Sequence, residues 1–398
     1  MTRSADRVLL LVAGAGRRSP GPALRFVLAM ASFLLPGVLY CQAPGTRHTE
    51  SVVFVMSDGL RWQELFRGAD PALLNRKYGN VVDGESLKRR YWRGRVEERR
   101  RALMPFLWSV IAAGGQIYGN LDRGSASYVV NGKNISYPGY GETLCGFADP
   151  RIDSNKRLPN PDVTILEWLN RKPGYRGRVA AFGAWDVFPA ILNASRAGFP
   201  VSAGYDQTEG MPANPRMRLL NELKTYLPQV WEEEPFDAIP FYAALEYLQE
   251  RKPRVLFVSL GETDDWAHKG DYGEYLRAIH RADSYLRILW EQLQSMPEYR
   301  DRTTLIFSTD HGRGNGPTSW KEHGRDLPES KYTWLAMLGP DTPPIGERAN
   351  IAAITNTQIA ATLAAILGED YAAARPEAGK PIPDASFSPS EYRAEVRK

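Results

Sequence analysis

Histidine is scarce in this chain of 398 residues, five in all, and its placement is informative. Asp264 precedes His268 by four residues, Asp310 runs directly into His311, and His323 follows twelve residues later. Asp58 stands in an Asp58-Gly59 pair far upstream. Carboxylate and imidazole together are the ligand set of zinc and similar divalent ions. Six such ligands are too many for one tetrahedral ion and suit two. Each piece alone has a plainer reading: Asp58-Gly59 as a turn, Asp264 to His268 as a helix cap, Asp310-His311-Gly312 as a loop. Asp265 competes with Asp264, and the four-residue spacing to His268 selects Asp264. His280 lies mid-helix between Ile279 and Arg281 and reads as packing or surface, and His48 is set aside as remote.

The elements that must carry these residues are legible. Ser51 to Ser57, SVVFVMS, is a β-branched run that ends at Asp58-Gly59 and reads as a buried parallel strand. Arg254 to Leu260 is a second strand, ending just before Asp264, and Thr303 to Ser308 is a third, running into Asp310-His311. Arg178 to Ala184 is a fourth. Helical patterns cover Met104 to Ala113, Thr164 to Asn170, Phe241 to Gln249, Tyr272 to Leu293 and Thr357 to Leu367. Strands alternating with helices predict an α/β fold around a mainly parallel sheet. Such sheets bind ligands at the carboxyl ends of their strands. Three carboxylates and two imidazoles therefore converge on one edge, with His323 on the loop that follows. Residues 66–103 are strongly charged and read as a solvated excursion. Residues 123–158, rich in Gly, Ser, Asn and Pro, read as a long loop region. Such loops are functional or disordered more often than neutral.

Composition excludes other classes. With 43% hydrophobic and 24% charged residues, the chain is an ordinary globular protein, not a disordered or polytopic membrane one. The net charge of +4 resides in residues 1–43, where Arg3, Arg7, Arg17, Arg18 and Arg25 face Asp6 alone. The remainder holds 45 basic and 45 acidic residues, so no footprint for nucleic acid is visible. After Arg25 comes Phe26 to Tyr40, fifteen mostly apolar residues broken by Pro36. That is short for a membrane span. Together with the preceding arginines it predicts a signal peptide cut near Ala43, or an anchor if retained. The domain scheme is a leader over 1–43, one catalytic domain over 44–374 and a peripheral tail over 375–398. Cys41 falls in the leader, which leaves Cys145 without a disulfide partner.

MSDGLR at 56–61, TDDWAH at 263–268, STDHGRG at 308–314 and EHG at 322–324 resemble the alkaline phosphatase superfamily, above all its nucleotide pyrophosphatase/phosphodiesterase branch. The resemblance covers nearly all of 50–370 in motif order. It implies a mixed, mostly parallel sheet between helices, two zinc ions, and a Ser or Thr nucleophile between them. It implies one ion held by Asp58, Asp310, His311 and the nucleophile oxygen, and the other held by Asp264, His268 and His323. In the phosphodiesterase branch the nucleophile precedes an aromatic-Pro pair, with a Gly closing the motif. Ser136-Tyr137-Pro138 has that form and Gly146 follows. That selects Ser136 over Thr143, Ser125, Ser127 and Ser154. Asn155 is the candidate for binding phosphoryl oxygens, although its loop departs from the family pattern. Tyr140 stands where phosphodiesterases commonly carry His.

The implied function is hydrolysis of small-molecule phosphate esters through a phosphoseryl intermediate. The alternatives are a sulfatase, a phosphomutase and a non-catalytic zinc protein. The sulfatase motif requires an Arg that Ser136 to Tyr140 lacks, and no insertion of the size of a mutase cap separates the motifs. The leader places the mature protein in the periplasm or outside the cell. Expression in an exporting bacterial host should give a mature N-terminus close to Pro44 by mass spectrometry. An intact Met1 in the soluble cytosolic fraction would count against export.

Overall fold

The structure is a computed structural model that describes residues 48–206 and 211–385. The leader therefore lies outside the described residues. Ten strands run in chain order as β1 (Ser51–Ser57), β2 (Gln116–Tyr118), β3 (Ser127–Tyr128), β4 (Val179–Gly183), β5 (Val201–Ala203), β6 (Val255–Leu260), β7 (Thr303–Ser308), β8 (Leu335–Leu338), β9 (Gly346–Glu347) and β10 (Ile354–Thr355). Eight of them form one sheet in the order β5-β4-β6-β1-β7-β8-β2-β9, and β10 pairs with β3 apart from it. The five strands from β5 to β7 are mutually parallel. β8 is antiparallel to both β7 and β2. The sheet is thus mixed and mostly parallel, as expected.

The strands lie between two apolar layers, and β1 shows how the sequence arranges this. Val53 and Val55 face one layer with Leu256, Val258, Leu305 and Phe307. Val52, Phe54 and Met56 face the other with Val255, Phe257 and Ile306. A strand buried on both faces reads as a continuous apolar run, which is why β1, β6 and β7 are visible in the sequence. The first layer is closed by the helix Tyr272–Ser295, whose Tyr275, Leu276, Ile279, Ala282, Leu286, Leu289 and Leu293 repeat at helical spacing. The second is closed by Thr357–Ile366 and Ile165–Asn170.

Three expectations need correction. The charged excursion is not merely solvated. It folds into helices Gly84–Tyr91 and Val96–Leu103, and Leu73, Leu87, Tyr91 and Leu103 enter the core. The loop region 123–158 contains the ten-residue helix Ser136–Cys145, buried throughout. Pro138 is tolerated there because the first turn of a helix needs no donor from it. The segment after Arg375 is anchored up to its last described residue. Ile382 and Ala385 are buried, the Gly379 amide donates to the Gly146 carbonyl at 2.8 Å, and Asp384 pairs with Arg348. Met104 to Ala113 is helical in part as expected, although Leu107–Ile111 is a π turn.

Asp283 shows how tightly the layers are tied. Its buried carboxylate accepts the Phe106 and Leu107 amides, each at 2.8 Å, at the start of that turn. Replacement by Ala orphans two buried N–H groups. Asp283→Ala should therefore cost about 2–4 kcal/mol of unfolding free energy, read by urea denaturation. A change within experimental scatter would show that these donors find other partners.

Candidate functional site

The carboxyl ends of β1, β6 and β7 are neighbours in the sheet, and each delivers acids or imidazoles to the same place. Asp58 follows β1 directly. Asp264 and His268 lie on the helix Glu262–His268, which starts just after β6. Asp310 and His311 follow β7, and His323 returns on the next loop. Ser136 is the first residue of the helix Ser136–Cys145, whose N-terminus points into this cluster. That helix approaches so closely that a Cβ on Gly139 would overlap the Asp310 carbonyl.

One group of side chains is nearly sealed. Asp58 is 5% exposed, Ser136 is 5%, and Asp310 and His311 are fully buried. Ser136 Oγ lies 3.3 Å from Asp58 Oδ1 and 3.3 Å from His311 Nε2. His311 Nε2 in turn lies 3.4 Å from Asp58 Oδ1 and 3.3 Å from Asp310 Oδ2. A tetrahedral ion with bonds of about 2.0–2.1 Å needs ligand atoms separated by about 3.3–3.4 Å. Asp310 Oδ2 is buried and has no hydrogen-bond partner. The donor set therefore fits a small dication and leaves one orphaned oxygen for it.

The second group is more open. His268 Nε2 faces His323 Nε2 at 2.9 Å and Asp264 Oδ2 at 3.1 Å. The side chain of His268 is 41% exposed, against 17% for Asp264 and 8% for His323. Asp264, His311 and His323 also present ligand atoms within 4.8 Å of one another. The two groups are thus contiguous, with the His311 ring stacked on the His323 ring at 3.9 Å.

Electrostatics favour a cation here. Burial, and after it the neighbouring Asp264, raises the Asp58 carboxyl well above its ordinary range. Burial and then Asp58 do the same to Asp310. Burial lowers His323 well below the usual imidazole range, with His311 the next cause, so its ring is neutral and able to ligate. Burial opposes the ionised form of Asp264 too, but Arg313, His268 and His323 hold its pKa well below the ordinary value. The tautomers are set by backbone carbonyls. His311 Nδ1 donates to the Gly312 carbonyl and His323 Nδ1 donates to the Asn134 carbonyl, both at 2.9 Å. Each Nε2 lone pair is thereby aimed at the cluster, the arrangement of ligating histidines.

The structure brings Asp58, Ser136, Asp264, His268, Asp310, His311 and His323 together, and Asp265 stays outside the two ligand groups. Asn155 sits beside the helix Ser136–Cys145, its Oδ1 accepting the Tyr137 amide at 3.0 Å. Thr143 is a packing residue that donates to the Gly139 carbonyl at 2.8 Å. Tyr140 is buried and bonded to Ser259 Oγ at 2.8 Å. His280 bonds the Leu103 carbonyl away from the cluster. Sequence reasoning passed over two supporting residues. Glu142 accepts the Val130 and Asn131 amides at 2.9 Å and so secures the loop that leads to Asn134. Arg313 is buried among the ligand loops. Its only signal was its place in STDHGRG, one residue beyond the Asp-His-Gly.

The family model for type I phosphodiesterase / nucleotide pyrophosphatase matches residues 74–378. No curated protein sequence matches the chain. Solved structures share the fold. Wild-type alkaline phosphatase PafA is 11% identical, with a TM-score of 0.56 over 86% of this chain and 100% of that one. The phosphonate monoester hydrolase SpPMH from Silicibacter pomeroyi is 14% identical, with a TM-score of 0.52 over 84% of this chain and 76% of that one. The lipoteichoic acid synthase LtaP from Listeria monocytogenes is 12% identical, with a TM-score of 0.51 over 81% and 73%.

Gly139 tests the packing of the helix Ser136–Cys145 on the loop after β7. Gly139→Ala must push Ser136 or Asp310 aside, since its methyl meets backbone, not a movable side chain. Phosphate-ester turnover should fall at least about tenfold, roughly 1.4 kcal/mol of barrier. Gly141→Ala, which meets only the end of Ile152 at 3.2 Å, should be far milder. Equal effects would show that the close approach does not position the site.

Proposed function

Since the chain belongs to the type I phosphodiesterase / nucleotide pyrophosphatase family and is a phosphoric ester hydrolase, we propose that it works through two divalent ions, zinc, and Ser136. The observation that carries this reading is the set of 3.3–3.4 Å separations among Asp58, Ser136, Asp310 and His311, with Asp310 Oδ2 buried and accepting no hydrogen bond. Asp58, Asp310, His311 and Ser136 would hold one ion. Asp264, His268 and His323 would hold the other.

When bound, the ions supply positive charge that lowers the pKa of the serine hydroxyl and offsets charge on the phosphoryl oxygens. Ser136 loses its proton to solvent, and its Oγ attacks phosphorus in line. The bond from phosphorus to the leaving oxygen breaks, and that oxygen takes a proton from solvent. Water then attacks the phosphoseryl group from the vacated side, regenerating the Ser136 hydroxyl and releasing the phosphoryl product. Asn155, with Oδ1 occupied by the Tyr137 amide, has Nδ2 left to donate to a phosphoryl oxygen. The start of the ten-residue helix adds the favourable end of its dipole beside the anionic group. The substrates are small-molecule phosphate esters.

Protein purified without chelator should carry about two equivalents of zinc by elemental analysis. One tightly bound calcium instead would sink the two-zinc reading. Ser136→Ala should retain the fold and most of the metal and lower kcat by at least about a thousandfold, roughly 4 kcal/mol of barrier. p-Nitrophenyl phosphate, bis-p-nitrophenyl phosphate and the corresponding sulfate ester, run together, distinguish the reactions. A phosphoseryl peptide trapped at low pH should contain Ser136. Label on Thr143, or near-parental turnover by Ser136→Ala, would overturn the nucleophile.

A further inference from the structure

Arg313 is among the most completely buried side chains of the described residues, at 1% exposure, and it bonds to the segments that carry Asp58, Asp264 and His323. Its Nε donates to the Gly59 carbonyl at 3.1 Å, next to Asp58. Its Nη1 donates to the Lys321 carbonyl at 2.5 Å, two residues before His323. Its Nη2 donates to the Asp264 carbonyl at 3.0 Å and forms an ion pair with Asp264 Oδ1. Gly59, at φ +57°, leaves room for the Asp264–Arg313 pair, because a Cβ there would overlap Asp264 Oδ1 and lie 2.9 and 3.0 Å from the guanidinium.

The two ligand groups therefore differ in charge. Asp58 and Asp310 bring two carboxylates to the first; Arg313 attracts Asp58 through space but, among the described residues, forms no ion pair with either acid. Asp264 brings the sole carboxylate to the second, and a guanidinium already holds one of its oxygens. Glu322, half exposed, lies 4.0 Å from His268 Nδ1, the ring nitrogen away from the cluster, and Asp265 and Glu234 are near enough to interact with the charge of Asp264. A fixed cation beside a buried ligand repels an incoming dication.

We propose that Arg313 is a positioning residue that makes the Asp264, His268 and His323 site the weaker of the two ion sites, by sharing the carboxylate of Asp264 with the bound ion. The inference rests on the two-ion reading above. Both ions are needed for turnover, so activity follows the occupancy of the weaker site.

The test is a calorimetric titration of the metal-stripped full chain with zinc at fixed pH, using a competing chelator. The parent should show two phases of one ion each, at least tenfold apart. His323→Ala should delete only the weaker phase. Arg313→Gln should tighten the weaker phase at least tenfold and leave the tighter one unchanged. Arg313→Lys, which keeps the charge and loses the fork, should keep the gap. A merely structural role moves affinity the other way, so weakening by both variants overturns the proposal. So do two equal phases in the parent, or an Arg313→Gln titration like the parent's. If Arg313→Gln does not fold, the parent, His323→Ala and Arg313→Lys titrations still decide. Fewer than two ions in the parent would defeat the two-ion reading itself, and the inference with it.

Discussion

Two buried carboxylates, Asp58 and Asp310, impose the constraint around which this site is built. Burial disfavours ionisation of both, and after burial Asp264 acts against Asp58 and Asp58 against Asp310. Leaving such charge uncompensated in a protein interior costs several kcal/mol. A purely structural core would place a lysine or arginine between them. Here the nearest nitrogen to both is His311 Nε2, and Asp310 Oδ2 accepts no hydrogen bond. The arrangement makes sense around a dication, which converts mutual repulsion into shared attraction.

Holding the acids in that posture before an ion arrives requires a stiff frame. Asp58 is pinned by its own backbone, with its amide donating to the Leu260 carbonyl at 2.8 Å and its carbonyl accepting from Thr263 Oγ1 at 2.5 Å. Thr309 is fixed by Asn356, whose Nδ2 donates to its carbonyl at 3.0 Å while also reaching Thr143 Oγ1 at 3.0 Å on the helix Ser136–Cys145. The imidazoles are aimed by carbonyls of Gly312 and Asn134. Preorganisation of this kind places the reorganisation cost in folding rather than in each catalytic cycle.

The sequence was most readable where one physical signal dominated. β1, β6 and β7 are continuous apolar runs, and the ligand residues follow their ends, so both strands and ligands could be placed without coordinates. The helix Ser136–Cys145 was unreadable because Pro138, Gly139, Gly141 and Gly146 carry the composition of a loop. Gly139 is there for close approach to Asp310, a tertiary demand that local propensity does not encode. The helices at 84–91 and 96–103 were hidden by their charge, since Leu87, Tyr91 and Leu103 are the few residues facing inward. Arg313 was passed over because a lone arginine reads as surface, and only the packing of three loops reveals it as interior.

The site is also asymmetric in its access to solvent, and the direction agrees with the proposed chemistry. Asp58, Asp310, His311 and Ser136 lie beneath the surface, whereas the His268 side chain is 41% exposed. An ester approaching from solvent meets the Asp264, His268 and His323 side first, with Ser136 behind it. In the proposed reaction, in-line attack by Ser136 would expel the leaving group outward, toward the exposed ring of His268. Water for the second step enters along the path the leaving group took. In that reaction the open side would exchange product and solvent, including the proton that Ser136 releases. The difference in charge between the two groups, two carboxylates against one shared with Arg313, follows the same axis from interior to surface.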